Sequence, residues 1–135
     1  MKRRGAEDAE GLHNAISQRV IGAAIEVHRS LGPGLLESVY AACLAREFQL
    51  LEIEFDQERP IPVAYKGIKV DNGYRVDFVI ERQVILELKA AERLHPIHLA
   101  QLLTYLRLTD TRLGLLINFN VPVLREGVRR VVNNL

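Results

Sequence analysis

Apolar positions along this chain change rhythm several times. From His13 to Leu31, Ile16, Val20, Ala23, Ala24, Val27 and Leu31 recur at helical spacing. Gly32-Pro33-Gly34 predicts the end of that helix, because glycine takes positive φ there and proline stops propagation. A second helical pattern runs through Leu36, Val39, Tyr40, Cys43, Leu44 and Phe48 and stops near Leu51. The period then drops to two. Ile53 and Phe55 alternate with Glu52, Glu54 and Asp56, as in a half-buried strand. Pro60 and Pro62 restrict Ile61 to Tyr65 to an edge strand or a bulged continuation. Lys66-Gly67 and Asp71-Asn72-Gly73 are turn signals. Tyr74 to Ile80 and Val84 to Leu88 predict two strands whose short connection makes an antiparallel hairpin.

Pro96 suits the first turn of a further helix. Its apolar faces come from Ile97, Leu99, Ala100, Leu102, Leu103, Leu106 and Leu108. Leu113 to Phe119 is an unbroken apolar run of strand length, as expected of a central strand covered on both faces. Val121 to Leu135 fits either a short helix or a last strand, through Val128, Val131 and Val132. The order is α–α–β–β–β–α–β with one open element, an α/β protein. Residues 1–11 are charged and patternless and read as a disordered tail. Residues 12–135 form the domain, and 135 residues leave no room for a second.

Composition narrows the class. Hydrophobic residues make up 48% of the chain, enough for a core without staples. The single cysteine, Cys43, lies among Ala41, Ala42 and Leu44 and reads as a small core residue, which argues for a reducing, cytoplasmic setting. The basic N-terminus has no apolar stretch behind it, so it is not a secretory signal. No apolar run approaches the ~18 residues that span a membrane. The formal net charge is +1, so bulk electrostatics do not point to nucleic acid. A site for nucleic acid has to rest on local chemistry.

That chemistry is concentrated in Tyr74 to Ile80 and Val84 to Lys89. Side chains alternate along a strand, so Glu87 and Lys89 share one face while Leu86 and Leu88 take the other. Charges on so apolar a strand must be solvated, paired or bound. Whether Asp77 joins them depends on register. A two-residue loop at Glu81-Arg82 pairs position 77 with 86 and separates the carboxylates; a three-residue loop ending at Gln83 pairs 77 with 87 and unites them. Three-residue loops favour a glycine at positive φ, and none is present. If the acids converge, a divalent cation relieves their repulsion, and all-oxygen ligation suits magnesium or manganese. Lys89 then orients the attacking water or stabilises charge on phosphorus. The bland alternative makes Asp77 an edge-strand charge and Glu87–Lys89 a surface ion pair.

The sequence resembles the GxxExxY proteins of the PD-(D/E)XK nuclease superfamily. The name-giving motif stands as Gly34-Leu35-Leu36-Glu37-Ser38-Val39-Tyr40. Gly73-Tyr74-Arg75-Val76-Asp77, Glu87-Leu88-Lys89, Gln101-Leu102-Leu103-Thr104-Tyr105 and Leu116-Ile117-Asn118-Phe119 follow in order, from about residue 13 onward. Val76 replaces the proline of the superfamily's name. The resemblance implies a restriction-endonuclease-like α-β-β-β-α-β core around a mixed sheet flanked by helices, here with an extra N-terminal helix. It also implies a magnesium-dependent site in which Asp77, Glu87, the Leu88 carbonyl and Glu37 hold the metal. Glu37 and Tyr40 share a helix face, as do His98, Gln101 and Tyr105. By the same analogy, Gln101 and Tyr105 face the site, with Gln101 holding Lys89 or a phosphate.

His95 and His98 lack a supporting cysteine or second histidine pair, so capping or surface roles are expected. For Tyr40, Tyr74 and Tyr105, packing with a hydrogen-bonded tip is the expectation. No phosphate loop and no Ser–His–Asp arrangement is present. The leading function is hydrolysis of phosphodiester bonds in DNA or RNA, with local positive charge from Lys66, Lys69, Arg93, Arg125, Arg129 and Arg130. A catalytically silent nucleic-acid-binding or protein-interaction module on the same fold is the alternative. A homodimer fits either.

Overall fold

Gly32 and Gly34 sit at φ 74° and 96°, a region open to glycine without steric penalty. They turn the chain between helix α1 (Lys2–Leu31) and helix α2 (Glu37–Leu50). The structure, a computed structural model, describes residues 10–71 and 73–134, and residues 2–9 only as the start of α1. The tail expected over residues 1–11 lies, but for Glu10 and Gly11, outside the fully described residues. Tyr40 fixes the turn. Its hydroxyl donates to the Gly32 carbonyl (2.6 Å) and accepts from the Leu35 N–H (3.1 Å). Its buried ring stacks on Phe119 at 4.5 Å.

Seven strands follow: β1 (Phe55–Pro60), β2 (Val63–Tyr65), β3 (Ile68–Val70), β4 (Arg75–Ile80), β5 (Val84–Lys89), β6 (Leu113–Asn118) and β7 (Val128–Val132). Helix α3 (Pro96–Leu108) crosses from β5 to β6. Five strands make a mixed sheet in the order β1-β4-β5-β6-β7, parallel only between β5 and β6. A crossover helix is what a parallel pair requires. β2 and β3 form a separate antiparallel pair.

Helices cover both faces of the sheet. On one face Ile16, Val20, Ala24 and Val27 of α1 and Tyr40, Leu44 and Phe48 of α2 pack on Phe78, Ile80, Leu86 and Leu115. On the other, Leu102, Tyr105 and Leu106 of α3 pack on Val79, Ile85 and Leu116. Each fully buried leucine contributes roughly 1.5–3 kcal/mol relative to exposure. β6 is buried at every position and β5 from Val84 to Leu88, as their apolar residues require, and Glu87 and Asn118 are buried with them.

Several expectations need correction. The alternating strand begins at Phe55, not Ile53, and runs through Pro60. The Ile61–Tyr65 segment does not continue it but leaves the main sheet to pair with β3, which the sequence did not announce. Leu31, Leu36, Val39, Ile97 and Leu108 are exposed rather than core. The open C-terminal element is a 3₁₀ turn (Leu124–Gly127) followed by β7 on the sheet edge. Cys43 is a half-buried free thiol packed against the first core.

Candidate active site

The connection between β4 and β5 is the three-residue one. The strands pair as Ile80↔Val84, Val79↔Ile85 and Phe78↔Leu86, a register that sets Asp77 opposite Glu87. The loop achieves this without glycine, holding Glu81 and Arg82 at φ 52° and 57°. The start of β1 braces it. Glu81 N–H donates to the Glu54 carbonyl (2.9 Å), Glu54 N–H donates to Glu81 Oε1 (3.1 Å), and Arg82 pairs with Glu54 (3.3 Å).

Main-chain pairing of β4 with β5 stops after Phe78↔Leu86. Side chains take over from there. Asp77 N–H donates to Glu87 Oε1 (3.0 Å), and Leu88 N–H donates to Asp77 Oδ2 (2.7 Å). The two acids therefore hold each other's strands. On the opposite flank of β4, the β1 ladder also skips Asp77, because Glu58 across from it adopts φ 54°. Asp77 is thus on an interior strand at a local break, not on an edge, and the edge-charge reading is excluded.

Glu87 is only 5% exposed. Tyr74 donates its hydroxyl proton to Glu87 Oε2 (2.8 Å) and stacks on Tyr105 of α3 at 4.2 Å. Burial, and then the neighbouring Asp77, push the Glu87 carboxyl up to about 7, while the Tyr74 bond and the Asp77 N–H pull it back down. Burial raises Asp77 too, opposed by the Leu88 N–H and Lys89 and reinforced by the charges of Glu37 and Glu58. Tyr74 and Tyr105 are raised mainly by burial. Both phenols stay protonated, and Tyr74 donates to Glu87. Two carboxyls held side by side and partly out of water repel each other, and a bound cation would relieve that repulsion.

Lys89 is half-buried at the end of β5; its carbonyl accepts from the Phe119 N–H (2.8 Å), while its ammonium makes no hydrogen bond or salt bridge among the described residues. It acts on Asp77 and Glu87 through its charge, so the surface ion pair with Glu87 is not found. Asn118, beside Lys89 in the parallel register, fixes the chain just beyond it. Its side chain accepts from Ala91 N–H (3.0 Å) and Asn120 N–H (3.1 Å) and donates to the Ala91 carbonyl (2.9 Å).

Glu37 stands exposed on the first turn of α2, where the helix dipole favours an acid. Its charge reaches Asp77 and His98. Among the described residues, however, no three acidic, histidine or cysteine side chains gather closely enough to hold one ion. The expected convergence of Asp77, Glu87 and Glu37 is therefore reduced to the strand pair, with Glu37 at one remove. The geometric reason is that Glu37 sits on a separate element, one helical turn before the residue that anchors it, Tyr40. The oxygens of Asp77 and Glu87 and the Leu88 carbonyl remain a hard-donor set that suits magnesium or manganese.

On α3, Gln101 lies one turn before Tyr105 and influences its hydroxyl, and no bond to Lys89 is found among the described residues. His95 caps the helix, with His98 Nδ1 accepting from the His95 N–H (3.2 Å), so this pair serves as a cap. His28 Nε2 bonds the Val121 carbonyl at 2.8 Å. Three contributors were given no role at the site by sequence reasoning. Glu58 gave no signal, because nothing in Gln57-Glu58-Arg59 marks a left-handed residue. Asn118 was visible as a polar residue ending an apolar run. Tyr74 was visible at three residues before Asp77, but its acceptor was not.

No helix among the described residues is long and apolar enough to cross a membrane. Searches of curated proteins and of solved structures returned no match. A family comparison did match, over residues 14–131, which takes in the second half of α1, the other helices, all but the last residue of the five-stranded sheet and both acid-bearing strands. With that span and with Asp77, Glu87 and Lys89 in order on paired strands of a restriction-endonuclease-like sheet, the chain belongs to the PD-(D/E)XK nuclease superfamily.

Proposed function

We propose that the protein is a divalent-metal-dependent nuclease that hydrolyses phosphodiester bonds, of the GxxExxY type within its superfamily. The observation that carries this reading is the reciprocal bonding of Asp77 and Glu87 beside the unpaired ammonium of Lys89. Superfamily members are generally dependent on a divalent metal, and nucleic acid is the substrate that membership implies. Asp77, Glu87 and the Leu88 carbonyl would hold magnesium or manganese, and Glu37 would contribute through an intervening water. A bound cation would supply Lewis acidity toward phosphate and water. The chain's own residues do the rest. Tyr74 keeps Glu87 oriented and favours its charged form. Lys89 offsets negative charge building on the phosphoryl oxygens. Asn118 keeps the segment after Lys89 in place.

The test is direct. Purified protein with magnesium or manganese is expected to nick plasmid DNA or degrade single strands of DNA or RNA. Lys89→Ala should remove that activity while the fold persists by circular dichroism; unchanged activity in that variant sinks the assigned roles. A second reading, a silent binding module, draws on the missing third close ligand. Calorimetry separates the two: the nuclease reading expects manganese binding that Asp77→Asn abolishes, and no binding at millimolar manganese favours the module.

A further inference from the structure

The β2–β3 hairpin has no part in either core. Its strands alternate so that Val63, Tyr65, Ile68 and Val70 share one face, with Ala64 and Lys69 on the other. Tyr65 is 58% exposed, Ile68 60% and Val70 43%. Isolated two-stranded hairpins are marginal in water, so a bare apolar face on one calls for an occupant.

The root of the hairpin is at the acidic site. The chain enters through Ile61, whose N–H donates to the Tyr74 carbonyl (3.1 Å), and leaves through Tyr74, whose hydroxyl holds Glu87. The tip is basic. Lys66 and Gly67 form the turn at positive φ, and the Lys66 ammonium lies 5.3 Å from the centre of the Tyr65 ring. One spot thus presents an aromatic face and a positive charge together. Pro62, Ala64, Lys66 and Lys69 line an open groove of about 410 Å³ along the hairpin, and Arg75 is exposed at its base.

Size argues against a second copy of the chain as the occupant. Three residues per strand, at about 3.3 Å each, fall far short of the roughly 800 Å² per partner of a stable interface. Like charges at the two tips would also repel. A base stacked on an aromatic ring, with its phosphate met by a lysine, needs no such area, and stacking tolerates any sequence.

We propose that this hairpin is a gripping wing for single-stranded nucleic acid, with Tyr65 as the stacking platform and Lys66, beside its ring, as the phosphate contact. It feeds the strand toward Asp77, Glu87 and Lys89, and it rests on the nuclease reading above. The test is a fluorescence-anisotropy titration of the full chain in chelator, using labelled 20-nucleotide DNA, the same length of RNA, and a DNA duplex. Tyr65→Ala should weaken single-strand binding by about tenfold or more, and Tyr65→Phe should restore it. Lys66→Ala should flatten the log-affinity against log-salt slope by about 0.7, the value of one lost contact on a single strand. Manganese binding by calorimetry should not change in any of these variants.

Wild-type binding that ignores Tyr65→Ala overturns the wing and leaves the nuclease reading standing. So does a preference for duplex. So does a wild-type dimer that Tyr65→Ala dissolves, which would make a second copy the occupant. Absence of binding to all three probes overturns the wing, while the nuclease reading is decided by the cleavage and manganese tests above.

Discussion

Glu87 is held in a conflict that Tyr74 eases. Burial and Asp77 oppose its charge, and the Tyr74 hydroxyl is a donor that supports it. Removing that donor in Tyr74→Phe leaves the ring stack on Tyr105 but takes away the bond. The Glu87 carboxyl then moves further above about 7. A metal must displace its proton, so manganese affinity at pH 7 is expected to fall several-fold in this variant and to recover near pH 8.5. Calorimetric titration across pH reads the displacement; superimposable pH profiles for the two proteins would refute it. Gly127 makes a different residue-scale case. A Cβ there would lie 2.1 Å from the Asn118 carbonyl oxygen, which is backbone and cannot swing aside. Gly127→Ala should destabilise the fold by about 3 kcal/mol or more. A urea titration measures this, and a loss under about 1 kcal/mol would show that the turn yields.

At the scale of elements, the site depends on one loop. The three residues Glu81-Arg82-Gln83 place Asp77 opposite Glu87, and Arg82 occupies the left-handed region with no glycine to relieve it. Such a conformation costs an ordinary residue about 1–2 kcal/mol, whereas the exposed pair with Glu54 is worth less than about 1 kcal/mol. Arg82→Gly should therefore stabilise the protein by up to about 1 kcal/mol and raise Tm by a few degrees, as thermal melts can show. A lowered Tm would mean that the brace outweighs the strain. Strand identity was readable here because Val84 to Leu88 is apolar but for Glu87, and Val76, Phe78 and Ile80 alternate with Arg75, Asp77 and Val79. The register was not, since it turned on backbone angles at two residues with no turn signature of their own. The same limit applied at Glu58 and at β2–β3. There Pro60 and Pro62 announced an interruption but not that the chain would leave the sheet. The helices were legible as elements, yet Leu36 and Ile97 show that an apolar position near a helix start need not find the core.

Across the whole molecule, the raised Glu87 carboxyl sets a sign for stability against pH. Its folded value of about 7 exceeds the ordinary 4.5. Its favourable contribution is therefore complete below about 4.5 and lost as pH rises through about 7. The metal-free protein should melt lower at pH 8 than at pH 5.5 on this account, and manganese should restore stability at pH 8 far more than at pH 5.5. Melting curves with chelator or manganese at both pH values provide the check. Manganese that leaves Tm unchanged at pH 8 would mean that the acids do not hold it. Domain scale was where the sequence spoke most clearly, because three layers of apolar periodicity leave few ways to cover a sheet. The site was legible as Asp77, Glu87 and Lys89, but not as the bonding that joins the first two.

That bonding separates structure from chemistry in an unexpected place. Asp77 and Glu87 act as rungs where the β4–β5 ladder fails, so replacing either one loosens the middle of the sheet. Lys89 supports no such rung. On the proposed nuclease reading, a descendant that abandoned cleavage would be free to discard the lysine, while the sheet would still favour keeping both acids. The carboxylates would then persist for architecture, and the ammonium alone would track the proposed chemistry.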